Sequence, residues 1–144
     1  MPTLLLLNGP NLGRLGLREP QVYGTKTLDQ ITAEVTAVAA SRGWTVLARQ
    51  SNHEGELIDF IESQHQAEAM IINPGALMMS GWALRDALQD YPGRWMEVHI
   101  SNLFARESFR HSSLLAPLCH GFIAGLGTDG YALAAAALVG AGHV

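Results

Sequence analysis

The stretch that decides the fold is Leu-Leu-Leu-Leu-Asn-Gly-Pro-Asn at residues 4–11, an apolar run that ends abruptly in polar and turn-forming residues. Such a run predicts a buried strand whose carboxyl end leads into a loop. The loop continues through residues 12–24 and contains three glycines and a proline, together with Arg18, Glu19 and Tyr23. Long loops inside compact domains are often lids or binding loops. We therefore expect a hinged flap over a pocket.

Apolar segments with strand character alternate with helical repeats along the chain. The strands are predicted at residues 3–7, 44–48, 69–72, 95–98 and 118–124. Thr27 and Gln30 form a capping box that satisfies free amide groups at the start of the first long helix, and Ser80 is predicted to cap a later one. This alternation predicts parallel strands joined by right-handed crossovers. We expect one α/β domain over residues 1–144, a flavodoxin-like open five-stranded parallel sheet with helices on both faces.

The composition and charge of the chain argue against some classes of binding partner. The 144 residues carry a net charge of −4 with nine lysines and arginines, so no general attraction to nucleic acid or to a membrane surface is expected. Cys119 is the only cysteine, which excludes an internal disulfide and favours a reducing, cytoplasmic location. The first residues lack the features of a signal peptide, and no apolar run reaches the ~18 residues of a membrane span.

Polar residues follow three of the predicted strands at the point where each strand ends. They are Asn8 and Asn11, then Asn73, then Glu97, His99, Ser101 and Asn102. Ligands of open parallel sheets bind at the carboxyl ends of the strands. Asparagine also favours turns, which is a sufficient explanation for Asn8 alone. The complete set indicates a site.

Glu97 and His99 lie two residues apart and therefore on the same face of a strand. A carboxylate beside an imidazole fixes its tautomer and prepares it as a general acid or base; the alternative is a surface ion pair. Arg106 and Arg110 share one face if their segment is helical; a solvated face is the alternative, but beside this cluster they indicate a pair that binds a carboxylate or tunes a pKa. The histidines show no spacing typical of a metal site.

Gly-Leu-Gly-Thr-Asp-Gly at 125–130 matches the dinucleotide motif G-x-G-x-x-G between a strand and a helix. That motif belongs in the first βαβ unit, with an acidic residue about 20 positions later. Neither condition holds here. A tight turn is the preferred interpretation, and a nucleotide-binding protein stays as a disfavoured hypothesis.

Several motifs in one order, over nearly the whole chain, resemble those of the type II 3-dehydroquinate dehydratases. They are Leu-Asn-Gly-Pro-Asn-Leu at 7–12, Arg-Glu-Pro-Gln-Val-Tyr-Gly at 18–24, Gln-Ser-Asn at 50–52, Ile-Asn-Pro-Gly-Ala at 72–76, Ala-Leu-Arg-Asp-Ala at 83–87, Glu-Val-His-Ile-Ser-Asn at 97–102, Ala-Arg-Glu-Ser-Phe-Arg-His-Ser at 105–112 and Gly-Leu-Gly at 125–127. The resemblance implies anti dehydration of 3-dehydroquinate to 3-dehydroshikimate through an enolate, without metal or organic cofactor. It also implies trimers that assemble into a dodecamer. The same step serves both aromatic amino acid biosynthesis through the shikimate pathway and quinate catabolism.

The resemblance also implies a role for each matching residue. Tyr23 is the base that removes the proton beside the ketone, and Arg18 and Arg106 favour its ionised form. Asn11 holds a water that stabilises the enolate. His99, oriented by Glu97, protonates the departing hydroxyl. The substrate-binding positions are Asn73, Met79, Asp86, Ile100, Ser101 and Arg110, of which Asp86 reaches the ligand of a neighbouring subunit.

One tract departs from the family pattern. Residues 77–82 read Leu-Met-Met-Ser-Gly-Trp, where the family has an aromatic residue or leucine followed by Thr-His-Thr-Ser. Met79 occupies the position of the family's ligand-binding histidine, and a thioether cannot donate a hydrogen bond. One lost contact costs ~0.5–1.5 kcal/mol. We expect an active enzyme with weaker binding; the alternative is a repurposed relative with altered ligand preference or weak activity.

Overall fold

The computed structural model describes residues 1–140, and one domain over 1–144 stays a prediction. The strands are β1 (Thr3–Asn8), β2 (Thr45–Gln50), β3 (Ala69–Asn73), β4 (Arg94–His99) and β5 (Gly121–Ala124). The helices are α1 (Pro20–Tyr23), α2 (Leu28–Ala40), α3 (Glu54–Ser63), α4 (Leu77–Ser80), α5 (Trp82–Asp90) and α6 (Asp129–Gly140). Single 3₁₀ turns cover Leu12–Arg14, Leu103–Ala105, Ser108–Arg110 and Ala116–Leu118.

All five strands are parallel and follow the order β2-β1-β3-β4-β5. This order is that of flavodoxin-like sheets and confirms the predicted fold. The central strands β1, β3 and β4 are adjacent, with Asn8 paired to Asn73 and Ile72 paired to Glu97. The three polar strand ends predicted to converge therefore do meet at one edge of the sheet.

The four leucines of β1 explain why the sheet is covered on both sides. Leu4 and Leu6 pack in a core with α2 and α6, whereas Leu5 and Leu7 pack in a second core with α3 and α5. None of the four is accessible to solvent. Successive side chains of a strand point to opposite faces, so an uninterrupted apolar run requires apolar layers above and below it.

The two helix caps predicted from sequence have different outcomes in the structure. The Thr27–Gln30 capping box is confirmed at the start of α2. The prediction that Ser80 caps a helix is wrong, because Ser80 ends α4, and α5 begins after Gly81 without a local side-chain cap. Glu54 of α3 supplies the cap instead, since its Oε2 accepts a hydrogen bond of 2.8 Å from the amide of Leu84.

The segment that holds Arg106 and Arg110 does not meet the condition for a shared helical face, because it is not one helix. Arg106 follows the turn Leu103–Ala105 and Arg110 ends the turn Ser108–Arg110, so the two residues do not share a helical face. β5 begins later than predicted, at Gly121, because Pro117 lies in a 3₁₀ turn just before it. Among residues 1–140, no helix is both long and apolar enough to cross a membrane.

Candidate active site

A cavity of about 170 Å³ opens at the carboxyl ends of β1, β3 and β4. Its walls come from the strand ends, from the loop that contains α1, and from the turns after β4. Nine of the predicted site residues line it: Asn11, Arg18, Tyr23, Asn73, His99, Ile100, Ser101, Arg106 and Arg110. The structure therefore brings together residues that are up to 99 positions apart in sequence, from Asn11 to Arg110.

Tyr23 is buried, with 8% of its surface exposed, and two guanidinium groups surround it. Arg106 Nη1 donates a hydrogen bond of 2.9 Å to the Tyr23 hydroxyl oxygen and a longer one of 3.3 Å to Ser101 Oγ. The guanidinium carbon of Arg18 lies 4.6 Å from the centre of the tyrosine ring. Arg106 is thus the cation that contacts the phenol oxygen, and the guanidinium group of Arg18 lies over the face of the ring.

The turn of helix that carries Tyr23 was not predicted from sequence. Glu19 adopts a left-handed conformation (φ 37°), and its carbonyl accepts hydrogen bonds from the amides of Val22 and Tyr23. Pro20 follows at the first helical position, where its fixed φ suits the start of a helix. This single turn aims Tyr23 inward from a loop.

His99 and Glu97 contact each other directly, with 2.5 Å between His99 Nε2 and Glu97 Oε2. Glu97 is fully buried and does not itself line the cavity, whereas His99 does. Ser113 Oγ donates to Glu97 Oε1 at 3.1 Å and accepts from the amides of Leu115 and Ala116. An ionised carboxylate only accepts hydrogen bonds, so this contact keeps a proton on Nε2 and leaves Nδ1 for a ligand. Sequence reasoning missed Ser113, because no local pattern connects it to β4.

The end of β2 holds the loop that follows β1. Asn52 Oδ1 accepts from the amide of Asn11 at 3.0 Å, and Gln50 Nε2 donates to the carbonyl of Gly9 at 3.1 Å. A Cβ at Gly9 would lie 2.5 Å from the carbonyl oxygen of Pro74, so only glycine fits between the two loops. Asn11 itself adopts a left-handed conformation (φ 71°) that asparagine tolerates better than most residues. These contacts account for the Gln-Ser-Asn motif.

Arg110 is held toward the cavity by Glu107. Arg110 Nε donates to Glu107 Oε2 at 2.5 Å, and this hydrogen bond lowers the pKa of the exposed Glu107 carboxyl below its ordinary value. The carboxylate therefore stays ionised over the neutral range and keeps orienting the arginine.

Besides Glu97, two predicted site residues do not line this cavity, Met79 and Asp86. Met78, not Met79, faces it and is almost fully buried, while Met79 lies in a small neighbouring pocket with Phe109 and Leu114. Asp86 lies on the outer face of α5, in a separate groove of about 340 Å³ between α3 and α5. Asp86 therefore lies outside the cavity that Tyr23 and His99 line.

The Dehydroquinase class II family model matches residues 2–139 of this chain. A 3-dehydroquinate dehydratase of Roseiflexus castenholzii is 53% identical over 138 residues, which cover 95% of this chain and 88% of that relative. A catabolic 3-dehydroquinase 2 of Aspergillus flavus is 52% identical over 135 residues, which cover 93% of this chain and 90% of that relative. The crystal structure of a type II dehydroquinase from Propionibacterium acnes matches with a TM-score of 0.92 at 42% identity and covers 97% of both chains. This chain therefore belongs to the class II dehydroquinase family.

Proposed function

We propose that this chain dehydrates 3-dehydroquinate to 3-dehydroshikimate, with Tyr23 as the base and His99 as the acid. The observation that carries the proposal is the hydrogen bond from Arg106 to the Tyr23 hydroxyl, inside the cavity that His99 also lines. The base and the acid thus approach one small ligand from different walls.

The first step removes the proton from the carbon beside the ketone. An ordinary phenol has a pKa of about 10, so roughly one in a thousand is ionised at neutral pH. Arg106 on the oxygen and Arg18 over the ring stabilise negative charge on Tyr23. The electron pair moves to the ketone oxygen, and Asn11 holds a water that stabilises the resulting enolate.

The second step expels the hydroxyl group. The enolate re-forms the ketone, the carbon–oxygen bond breaks, and His99 donates the proton with which the hydroxyl leaves as water. Glu97 holds the imidazole in place and stabilises its charged form before that transfer. The product is a conjugated enone, and exchange with solvent returns Tyr23 and His99 to their starting protonation states. No residue in these steps needs a metal or an organic cofactor.

Ligand binding falls to the remaining polar residues of the cavity. Arg110, oriented by Glu107, is suited to the carboxylate of the substrate, and Asn73, Ser101 and the backbone near Ile100 are suited to its hydroxyl groups.

A second candidate function is supported by the methionine pair. Met78 places an apolar side chain in the cavity wall, and Met79 cannot replace the hydrogen bond of an imidazole. A relative with a different ligand preference, which binds a cyclic polyol acid with little turnover, would have such a wall. The retained base, acid and arginines favour the dehydratase.

We further propose a homo-oligomer, a dodecamer built from trimers and located in the cytoplasm. The groove that holds Asp86 lies outside the cavity of its own subunit, and Trp82 on the same helix is 62% exposed. We place the contact between subunits on this exposed side of α5, which carries both residues. A neighbouring subunit docked there would receive Asp86 at its own ligand.

The proposal is tested by adding 3-dehydroquinate and following the absorbance of the enone product. We expect turnover by the unmodified protein and its loss, by at least ~10³-fold, in Tyr23→Phe, because the phenylalanine ring cannot take a proton. Tyr91→Phe is the matched control, since Tyr91 is a buried tyrosine remote from the cavity.

Ligand titration in parallel separates the candidates. Binding of 3-dehydroquinate without enone formation would favour the second function. Binding of a nucleotide with no binding of 3-dehydroquinate would favour the nucleotide-binding hypothesis instead. Near-normal turnover in Tyr23→Phe would remove Tyr23 from the role of base.

A further inference from the structure

A buried chain of hydrogen bonds connects α6 to the cavity wall, and it contains a tyrosine to which neither the sequence motifs nor the proposed mechanism gives a role. Asn73 Nδ2 donates to the Tyr131 hydroxyl oxygen at 2.8 Å, and that hydroxyl donates to Asn8 Oδ1 at 2.6 Å. Asn8, Asn73 and Tyr131 are each at most 3% exposed. Only Asn73 also lines the cavity.

The direction of these hydrogen bonds follows from the chemistry of the groups. The amide of Gly75 donates to Asn73 Oδ1 at 3.1 Å, so the oxygen of the Asn73 side chain faces Gly75 and its nitrogen faces Tyr131. An amide nitrogen can only donate, hence the tyrosine oxygen accepts there and its proton points to Asn8. Burial raises the pKa of the Tyr131 phenol well above its ordinary value, so this proton stays in place throughout the working pH range.

We infer that Tyr131 is a positioning residue for substrate binding: it anchors the nitrogen end of the Asn73 side chain, so that one N–H of that amide is presented to an oxygen atom of the ligand. The inference rests on the proposed function and adds to it. On this inference the ligand group at this wall is a hydrogen-bond acceptor, because Tyr131 takes one hydrogen of the Asn73 amide nitrogen and the second hydrogen is left to donate.

The position of the three residues in the fold makes this anchor stiff. Asn8 and Asn73 are register partners at the ends of β1 and β3, and Tyr131 comes from the first turn of α6. One hydroxyl therefore connects two adjacent strand ends to the helix that covers them. A buried amide with both ends anchored loses little further freedom when a ligand binds, which favours affinity.

The test compares Tyr131→Phe with Tyr91→Phe. Both substitutions keep a buried ring and remove one hydroxyl; Tyr91 donates to the carbonyl of Ala67 at 2.6 Å in the core on the opposite face of the sheet. We expect both variants to unfold at lower denaturant concentration. Only Tyr131→Phe should also raise KM for 3-dehydroquinate, by about two- to tenfold, with a smaller change in kcat.

A double-mutant cycle measures an effect on KM that is not expected if Tyr131 only stabilises the fold. In a protein that already carries Asn73→Ala, the added Tyr131→Phe substitution should leave KM unchanged, because the side chain that it positions is gone. Asn8→Ala removes the acceptor at the other end of the chain and should raise KM in the same direction, which keeps the test available if Tyr131→Phe does not fold.

An unchanged KM in Tyr131→Phe, or equal KM changes in the two tyrosine variants, would overturn the inference. A further rise of KM in the Asn73→Ala background would overturn it as well. Failure of the proposed function is seen separately, as an unmodified protein that forms no enone, and the inference then falls with it.

Discussion

Glu97 illustrates how one side chain sets the chemistry of its neighbour. Its carboxylate is fully buried and contacts His99 on one side and Ser113 on the other. A buried charge without partners is strongly destabilising, so both contacts are needed to keep a carboxylate there. The serine hydroxyl, itself held by two backbone amides, therefore helps to aim the imidazole.

Ser113→Ala should lower kcat by about two- to tenfold and destabilise the protein by about 1–3 kcal/mol, because Glu97 loses a donor while it stays buried. Steady-state kinetics with 3-dehydroquinate and chemical denaturation measure the two effects. Ser112→Ala, an exposed neighbour that makes none of these bonds, is the control and should change neither. A stability loss with unchanged kcat would mean that Ser113 supports only the fold.

The turn between β5 and α6 shows what a glycine-rich element does in this fold. Gly125 (φ 90°) and Gly127 (φ 63°) adopt conformations that L side chains rarely adopt. Their amides donate to the carbonyls of His99 and Ile100, so the turn is joined to the end of β4 at the cavity. These contacts agree with a tight turn, the preferred interpretation of the motif at 125–130.

Gly127→Ala should destabilise the protein by about 1–2 kcal/mol through backbone strain alone, because the space around a Cβ at this position is empty. Gly55→Ala is the matched control. Gly55 lies in the first turn of α3, also with open space around it, and alanine there should stabilise by up to about 1 kcal/mol. Thermal or chemical denaturation measures both, and equal effects of the same sign would contradict the strain argument.

At the scale of the whole molecule, the position of Asp86 bears on whether one subunit forms a complete site by itself. Asp86 and Tyr23 lie on different surfaces of one chain, in the groove between α3 and α5 and in the cavity. If subunits share sites across a head-to-tail contact, a cavity needs its own Tyr23 and a neighbour's Asp86.

Mixed oligomers of Tyr23→Phe and Asp86→Ala subunits should therefore regain activity. Each variant alone should be impaired, and random co-assembly should restore about a quarter of the sites, because one in two subunits keeps Tyr23 and half of these have a neighbour with Asp86. Co-expression with two affinity tags, light scattering and the enone assay provide the measurement. A mixture no more active than the average of its parts would contradict a shared site, and a monomeric mass would contradict the proposed assembly.

The sequence by itself determined the layered fold and the place of the site. Four consecutive leucines in β1 require two covered faces, and the alternation of strands with helices makes the sheet parallel. Parallel strands in turn carry Asn11, Asn73 and His99 to the same edge. Each element follows from a pattern within a few adjacent residues, and the order of the elements along the chain makes the sheet parallel.

Only the tertiary structure decided the contacts on which the chemistry depends. It placed Arg106 on the phenol oxygen of Tyr23, Met78 in the cavity wall, and the Tyr131 hydroxyl on Asn73. The hydrogen-bond partners in these pairs are 83 and 58 positions apart. No local periodicity predicts such a pair, because its geometry depends on how the loops and α6 pack against the end of the sheet.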